Sequence, residues 1–329
     1  MSDFKAFRVH LENERIVSRL ERIRMDDLSP GDVVIRGAYS SINYKDALAA
    51  TGKGKILRRY PLVAGVDISG TVETSTDARF KPGDRVVVAG CGLSETTDGG
   101  FAQVARVPAD FVNPLPDGLD LRSAMAIGTA GFTAALALHR MEQNDQRPEL
   151  GPIAVTGATG GVGSYAIDIF SRRGYAVTAL THKSGAEEYL RGLGARDVQV
   201  LSTMKLGSRP LEKAIWGGAV DNLGGEVLAW LTRTTVPLGN IASVGLAAGV
   251  DLNTTVMPFI LRGVCLLGIN SVEAPRELRI AVWQRVGGDL KPAHVDRIAA
   301  REVALDELPG CFDAYIAGTV TGRTIVRLN

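Results

Sequence analysis

Residues 153–165 read Ile-Ala-Val-Thr-Gly-Ala-Thr-Gly-Gly-Val-Gly-Ser-Tyr, and the reading of this stretch decides the fold. An apolar run, Ile153 to Thr156, ends in a glycine-dense turn. A helical pattern with Tyr165, Ile167, Ile169 and Phe170 among its apolar positions follows directly. Strand, tight glycine turn and helix, in that order, form the context in which a dinucleotide fingerprint carries weight. Gly160 allows the backbone to approach a pyrophosphate, and Gly163 allows the helix to pack closely on the strand. The start of the helix, with Thr159, Gly160, Gly161 and Val162, offers free N–H groups and the positive end of a dipole. The first glycine of the usual G-x-G-x-x-G is Ala158 here, so an ordinary glycine-rich turn is the competing reading. Glycines concentrated in a turn that accommodates nothing would only weaken the fold.

The next strand indicates which dinucleotide fits. It reads Tyr175-Ala-Val-Thr-Ala-Leu-Thr-His-Lys-Ser. An NAD-selective site places Asp or Glu at its end to accept from the ribose 2′-hydroxyl. Thr181, His182, Lys183 and Ser184 stand there instead. Hydroxyls and a cation suit a 2′-phosphate, so NADPH is the expected cofactor. A solvated loop that happens to carry one Lys is the plainer reading, and it leaves the missing acid unexplained.

Outward from this unit the chain changes character. Val33–Ser40, Ile68–Thr74 and Arg85–Ala89 are short β-branched runs, and the turn signals Ser29-Pro-Gly-Asp and Lys81-Pro-Gly-Asp precede two of them. They predict a partly closed barrel. A helical pattern covers Arg122 to about Met141. Strands at Ile153–Thr156, Ala176–Thr181, Asp197–Leu201, Ala219–Leu223, Asn240–Val244 and Val264–Ile269 then alternate with helices, which spells a doubly wound parallel sheet. From Ser271 one more helix and two strands, Arg301–Leu305 and Arg323–Leu328, are expected to rejoin the first domain.

Composition sets limits. The chain has 329 residues, 45% hydrophobic and 22% charged, with a net charge of +1, so it is long enough for two cores. It shows no electrostatic footprint for nucleic acid or an anionic membrane. No run of apolar residues approaches the roughly eighteen that span a bilayer, and no signal-peptide core opens the chain. The three cysteines (91, 265 and 311) and four histidines (10, 139, 182 and 294) are scattered without ligand spacing. A cytoplasmic protein without a metal is expected.

Several further stretches carry a resemblance. They are Ser41-Ile-Asn-Tyr-Lys-Asp, Gly65-Val-Asp-Ile-Ser-Gly-Thr-Val, Ile127-Gly-Thr-Ala-Gly-Phe-Thr-Ala, Arg209-Pro-Leu-Glu-Lys and Thr254-Thr-Val-Met-Pro-Phe-Ile-Leu-Arg-Gly, with the fingerprint itself. Together they resemble the medium-chain dehydrogenase/reductases, and among them the zinc-independent branch of acrylyl-CoA reductases and quinone oxidoreductases. The resemblance implies an α/β fold. A GroES-like, partly closed β-barrel catalytic domain would take residues 1–124 and 272–329, and a Rossmann domain residues 125–271. It implies NADPH-dependent reduction of the C=C bond of a short enoyl-CoA, acryloyl-CoA to propanoyl-CoA, in a homodimer. A quinone or enone reductase is the nearest alternative, and a non-catalytic NADPH-binding protein is an alternative of another class.

The zinc-dependent members place a Cys where this chain has Ile42-Asn43, and Gly-His-Glu where it has Gly65-Val66-Asp67. Conjugate reduction needs no Lewis acid. Hydride adds to the β-carbon, and hydrogen-bond donors hold the charge that appears on the thioester oxygen. The resemblance places Tyr44 at the nicotinamide and the substrate and Asn43 beside it at the developing oxyanion, with packing at a domain seam and a local turn bond as their plain readings. Asp67 is either paired with a neighbour such as Lys45 or poised for proton transfer. The resemblance places Leu246, Ile260 and Ser271 around the cofactor, though composition alone makes the first two core; Thr129 or Thr133 could reach the nicotinamide carboxamide or back-bond within the helix, Arg323 could touch the cofactor, and Arg58 and Arg59 could meet the coenzyme A phosphates or form a solvated charge pair. One departure stands out. The family usually carries two Trp residues in the loop that here reads Gly90-Cys-Gly-Leu-Ser-Glu-Thr-Thr-Asp-Gly-Gly-Phe, which predicts a pocket of altered shape.

Overall fold

The computed structural model describes residues 3–329. They form two compact units: the chain up to Thr129 with Ser271–Asp289 and Val295–Asn329, and Ala130–Asn270 with Leu290–His294.

The first unit begins with β1 (Phe4–Glu12), β2 (Arg15–Ile23), β3 (Val33–Ile42), β4 (Leu62–Val63), β5 (Asp67–Ser75), β6 (Arg85–Ala89), β7 (Val104–Val107) and β8 (Asn113–Pro114). β1 and β2 make a hairpin with Glu12 opposite Arg15. The two residues between them, Asn13 and Glu14, have φ of 48° and 63°, the positive values that a two-residue hairpin turn requires. Phe7, Phe101 and Phe312 stack with ring centroids 5.5–6.5 Å apart and anchor the apolar interior of this unit.

The second unit contains β9 (Ile153–Thr156), β10 (Val177–Thr181), β11 (Asp197–Val200), β12 (Trp216–Asp221), β13 (Thr235–Ser243) and β14 (Cys265–Gly268). All are parallel, in the order β11-β10-β9-β12-β13-β14. This is the Rossmann arrangement, whose order reverses beside β9. The six expected strands are all present, and β12 and β13 begin three and five residues earlier than their apolar cores suggest. The chain then returns to the first unit as β15 (Arg301–Ala304) and β16 (Thr324–Arg327), with β16 antiparallel to β3.

The units divide near but not at the expected boundaries. The helical segment Leu121–Gln143 is interrupted at Gly128, with φ 49° and ψ −158°. The first unit therefore keeps the chain as far as Thr129. The short piece Leu290–His294 groups with the second unit, where the His294 backbone N–H donates to the buried Asp168 carboxylate at 2.9 Å. The Leu121–Gln143 segment is also long and apolar enough to cross a membrane by length and composition, contrary to the reading of composition alone, yet 78% of its most apolar window is buried inside the protein.

Candidate active site

In the second unit, β9 delivers the chain into a turn at Gly157, whose φ is 57°. The helix Gly161–Arg172 starts immediately after Gly160. A Cβ at Gly163 would lie 2.4 Å from the Gly157 carbonyl oxygen, so only glycine lets the helix sit this close to the turn. The first backbone bond into the helix runs from the Ser164 N–H to the Gly160 oxygen at 2.9 Å. The N–H groups of Gly161, Val162 and Gly163 precede it and have no intrahelical acceptor. Beside the turn, the buried Asp221 accepts from the Thr156 hydroxyl at 2.7 Å and from the Gly224 N–H at 2.8 Å. Burial pushes the Asp221 carboxyl up from its ordinary range. Asn222 returns its amide to the Thr156 carbonyl at 2.7 Å. The ends of β9 and β12 are thus locked together.

β10 ends at Thr181, and its hydroxyl accepts from the Lys183 N–H at 3.0 Å. His182 is exposed and Lys183 half-buried. Partial burial lowers the Lys183 ammonium below its ordinary value. Leu246 and Ile260 are 66% and 71% exposed, a large apolar area for two positions that composition alone would assign to a core.

In the first unit, a buried cluster gathers around Asp67, the first residue of β5. Its side chain is 0% exposed. It accepts from Ser41 Oγ at 2.6 Å, Asn43 Nδ2 at 2.7 Å, Thr129 Oγ1 at 2.5 Å and the Thr129 N–H at 3.1 Å. Arg323 Nη2 completes an ion pair at 3.3 Å. Arg323 also donates to Asn43 Oδ1 at 2.7 Å, to Ser41 Oγ at 2.6 Å and to the Ile42 carbonyl at 3.1 Å. The pairing of β16 with β3 sets Thr324 opposite Ile42, and this register delivers Arg323 to the cluster. Gly128 packs against it: a Cβ there would fall 2.6 Å from Arg323 Nη2 and 2.7 Å from Asp67 Oδ2.

These contacts correct several expectations. Asp67 pairs with Arg323 and not with Lys45, which binds Glu95 at 2.9 Å. The Asp67 carboxylate oxygens are filled by these donors from the protein itself. Both polar atoms of the Asn43 amide are taken inside the cluster, and its amide is not free to meet an oxyanion. Arg323 is 4% exposed and spends its donors on protein, so it clamps the cluster instead of touching a cofactor. The Thr129 hydroxyl likewise turns to Asp67. Arg59 bonds Ser29 Oγ and the Thr96 carbonyl.

Tyr44 alone of this group points outward. It opens the helix Tyr44–Thr51 directly after the clustered Asn43, is 52% exposed, and its hydroxyl makes no hydrogen bond among the described residues. Two buried residues support it from behind. Asp46 is fully buried and accepts from the Asn43 N–H at 2.8 Å and the Val66 N–H at 3.0 Å. Burial drives its carboxyl up to about 7. Ser41, never a candidate, bridges Asp67 and Arg323.

The comparisons with known proteins agree with this architecture. Residues 29–117 match the alcohol dehydrogenase GroES-like domain. The acrylyl-CoA reductase AcuI of Ruegeria pomeroyi is 43% identical over 324 residues, 97% of this chain and 96% of the relative. The chain belongs to the medium-chain dehydrogenase/reductase family. Its similarity extends to solved members: Escherichia coli YhdH with bound NADPH, 44% identical with a TM-score of 0.94 over 98% of this chain and all of that one. Bacillus subtilis YhfP with NAD bound is 44% identical, with a TM-score of 0.97 over the whole of both chains. In a family whose zinc-dependent members use Cys and His ligands, this chain brings no group of three His, Cys, Asp or Glu side chains together among the described residues. Asp67 has the Arg323 guanidinium as its countercharge.

Proposed function

We propose that this protein is an NADPH-dependent oxidoreductase that reduces the C=C bond of a short enoyl-CoA, with acryloyl-CoA going to propanoyl-CoA. The observation that carries this reading is the full-length similarity to an acrylyl-CoA reductase. The relatives' structures hold NADPH in one case and NAD in another, so cofactor choice rests on this chain's own residues. They fit NADPH: the glycine-bounded helix start and the N–H groups of Gly161 to Gly163 suit a pyrophosphate, and Lys183 replaces the acid that would select NAD. Thr159, Thr181, His182, Leu246, Ile260 and Ser271 complete the proposed cofactor contacts.

NADPH, held by these residues, would supply the hydride for the β-carbon. The chain's own task is to hold the thioester oxygen, which gathers charge, and to admit a proton to the α-carbon. Tyr44 is the proposed donor, since its hydroxyl is unengaged and half-exposed. The Asp67–Arg323 cluster acts on Tyr44 through Asn43, which fixes the start of the Tyr44 helix. A metal is not required by this chemistry. We further propose a homodimer built on the edge of β14, beside which Leu238, Leu261 and Val256 are more than 60% exposed, and a cytoplasmic location.

The quinone reductase reading shares these residues. A turnover comparison with acryloyl-CoA and a benzoquinone, in the presence of a chelator, separates the two. The proposal expects NADPH oxidation with acryloyl-CoA that chelation does not touch. Turnover of the quinone alone, or a chelator-sensitive rate restored by zinc, would overturn it.

A further inference from the structure

One stretch of the first unit carries charge that its own sequence does not balance. Between Asp46 and Asp67 the chain has no acidic residue, yet it carries Lys53, Lys55, Arg58 and Arg59. The net charge of the whole protein is only +1. Arg59 is accounted for, since it bonds Ser29 Oγ and lies 3.8 Å from the Asp98 carboxylate. Lys53, Lys55 and Arg58 are exposed, and their side chains make no hydrogen bond or ion pair among the described residues.

The loop that carries them is held in one shape. Gly52 ends the Tyr44–Thr51 helix with φ 71°. The Gly54 N–H donates back to the Leu48 carbonyl at 3.3 Å, and the Ile56 N–H to the Gly54 carbonyl at 3.0 Å. A Cβ at Gly54 would lie 3.1 Å from Leu48 Cβ, so the loop sits close on the helix. Leu57 is buried in the core of this unit and Ile56 packs against it. The Arg58 N–H donates to the Glu95 carbonyl at 2.8 Å, and the Glu95 carboxylate binds Lys45 at 2.9 Å. The loop therefore runs back from the end of the helix toward its start, where Tyr44 stands. Cations on a fixed loop meet an anion without the cost of ordering the backbone. The helix dipole favours a cation at the helix C-terminus, which explains Lys53 but not Lys55 and Arg58 beyond it.

We infer that Lys53, Lys55 and Arg58 hold the phosphate groups of coenzyme A. The inference rests on the enoyl-CoA reading above and names where the nucleotide end of that substrate docks. The thioester is proposed at Tyr44. The helix that Tyr44 opens is about 12 Å long by the rise per residue of an α-helix, and the pantetheine arm separates the thioester from the diphosphate by a comparable span. Phosphate suits these residues: the ammonium groups act as point charges and the guanidinium adds a forked pair of bonds. An acryloyl group has no charge and little surface to grip. Most of the substrate's affinity must then come from the coenzyme, the part remote from the reacting carbons.

The test compares acryloyl-CoA with acryloyl-pantetheine, which lacks every phosphate. Replacing both lysines, Lys53→Ala with Lys55→Ala, is expected to raise the KM for acryloyl-CoA about tenfold to a hundredfold. kcat should stay unchanged, because such contacts bind the ground state and the transition state alike. The KM values for acryloyl-pantetheine and NADPH should not move. Arg58→Ala should give a smaller loss of the same kind, and Lys55→Arg should keep most of the native KM. Lys205→Ala, which removes an exposed lysine of the second unit, should change nothing. Equal KM increases with both thioesters would make the loop a structural element, and an unchanged KM with both would leave the cations to solvent. A raised KM for NADPH would give them to the cofactor. Each of these outcomes overturns the inference, while turnover of acryloyl-CoA leaves enoyl reduction standing. Calorimetric binding of free coenzyme A against pantetheine gives a readout that needs no turnover. Tighter binding of coenzyme A, lost in the double variant, supports the site even if enoyl reduction itself fails. Equal binding of the two, or binding that the double variant retains, refutes it.

Discussion

Two candidate functional regions, one half of the account in each unit, are built by opposite strategies. The turn after β9 is local. Gly157 to Gly163 lie within one loop and one helical turn, and each does its work on its immediate neighbours. The Asp67 cluster is global. Ser41, Asn43, Asp67, Gly128, Thr129 and Arg323 come from four separate stretches of chain and meet only because β3, β5 and β16 share one sheet. The local half presents unsatisfied N–H groups to a ligand. The global half satisfies nearly all of its polar atoms internally and offers outward only the residue it steadies, Tyr44. One half is built to bind and the other to hold a geometry.

This contrast breaks most sharply at the Asp67–Arg323 pair. Removing one partner of a buried ion pair leaves an uncompensated charge, at a cost of about 3–5 kcal/mol. Arg323→Met and Asp67→Asn should each destabilise the protein by about that amount in denaturant melts, and the double variant should recover part of the loss. A single substitution that costs less than about 1 kcal/mol would show that the cluster is not the frame described.

The next effect is catalytic. Tyr44→Phe should lower kcat with acryloyl-CoA about a hundredfold, the usual loss for one oxyanion donor, with NADPH affinity nearly unchanged. Near-normal kcat would return Tyr44 to a packing role and move the donor elsewhere.

The fold was legible in the sequence because its signals are local: the glycine turn, β-branched runs and Pro-Gly-Asp corners each predict their own neighbourhood. The lysine at the end of β10 was legible for the same reason. The cluster was not. Asn43, Asp67, Thr129 and Arg323 were each singled out, but the sequence gives no register between β3 and β16, so their mutual bonding stayed hidden. Asp67 was offered Lys45 as a partner, the nearest cation in a motif, when strand pairing supplies Arg323. Ser41 and Asp46 bound the motif Ser41–Asp46, yet neither residue type marks itself as buried or names its partner.

A third prediction sharpens the local half. Lys183→Ala should raise the KM for NADPH about tenfold, the loss of one charge-assisted contact, and leave NADH nearly unchanged. Equal losses with both cofactors would remove Lys183 from 2′-phosphate selection.

A pH dependence of stability also belongs to the global half. Burial lifts Asp46 from 3.8 to about 7. The folded protein therefore keeps a proton that the unfolded chain has released. The stabilisation from this group is complete below pH 3.8 and is lost as the pH rises through about 7. Asp46→Asn should flatten the fall in stability across that window. An unchanged slope would mean that Asp46 is ionised throughout.

The account's central claim is hydride addition to the β-carbon of an enoyl thioester, and isotope transfer tests it directly. Acryloyl-CoA would be reduced with NADPH carrying deuterium at the transferable C4 position, and the product analysed by NMR. The account predicts propanoyl-CoA with deuterium at C3 and a solvent-derived proton at C2. Oxidation of the labelled NADPH with no deuterium at C3, or no oxidation by acryloyl-CoA where a quinone is readily reduced, would contradict it.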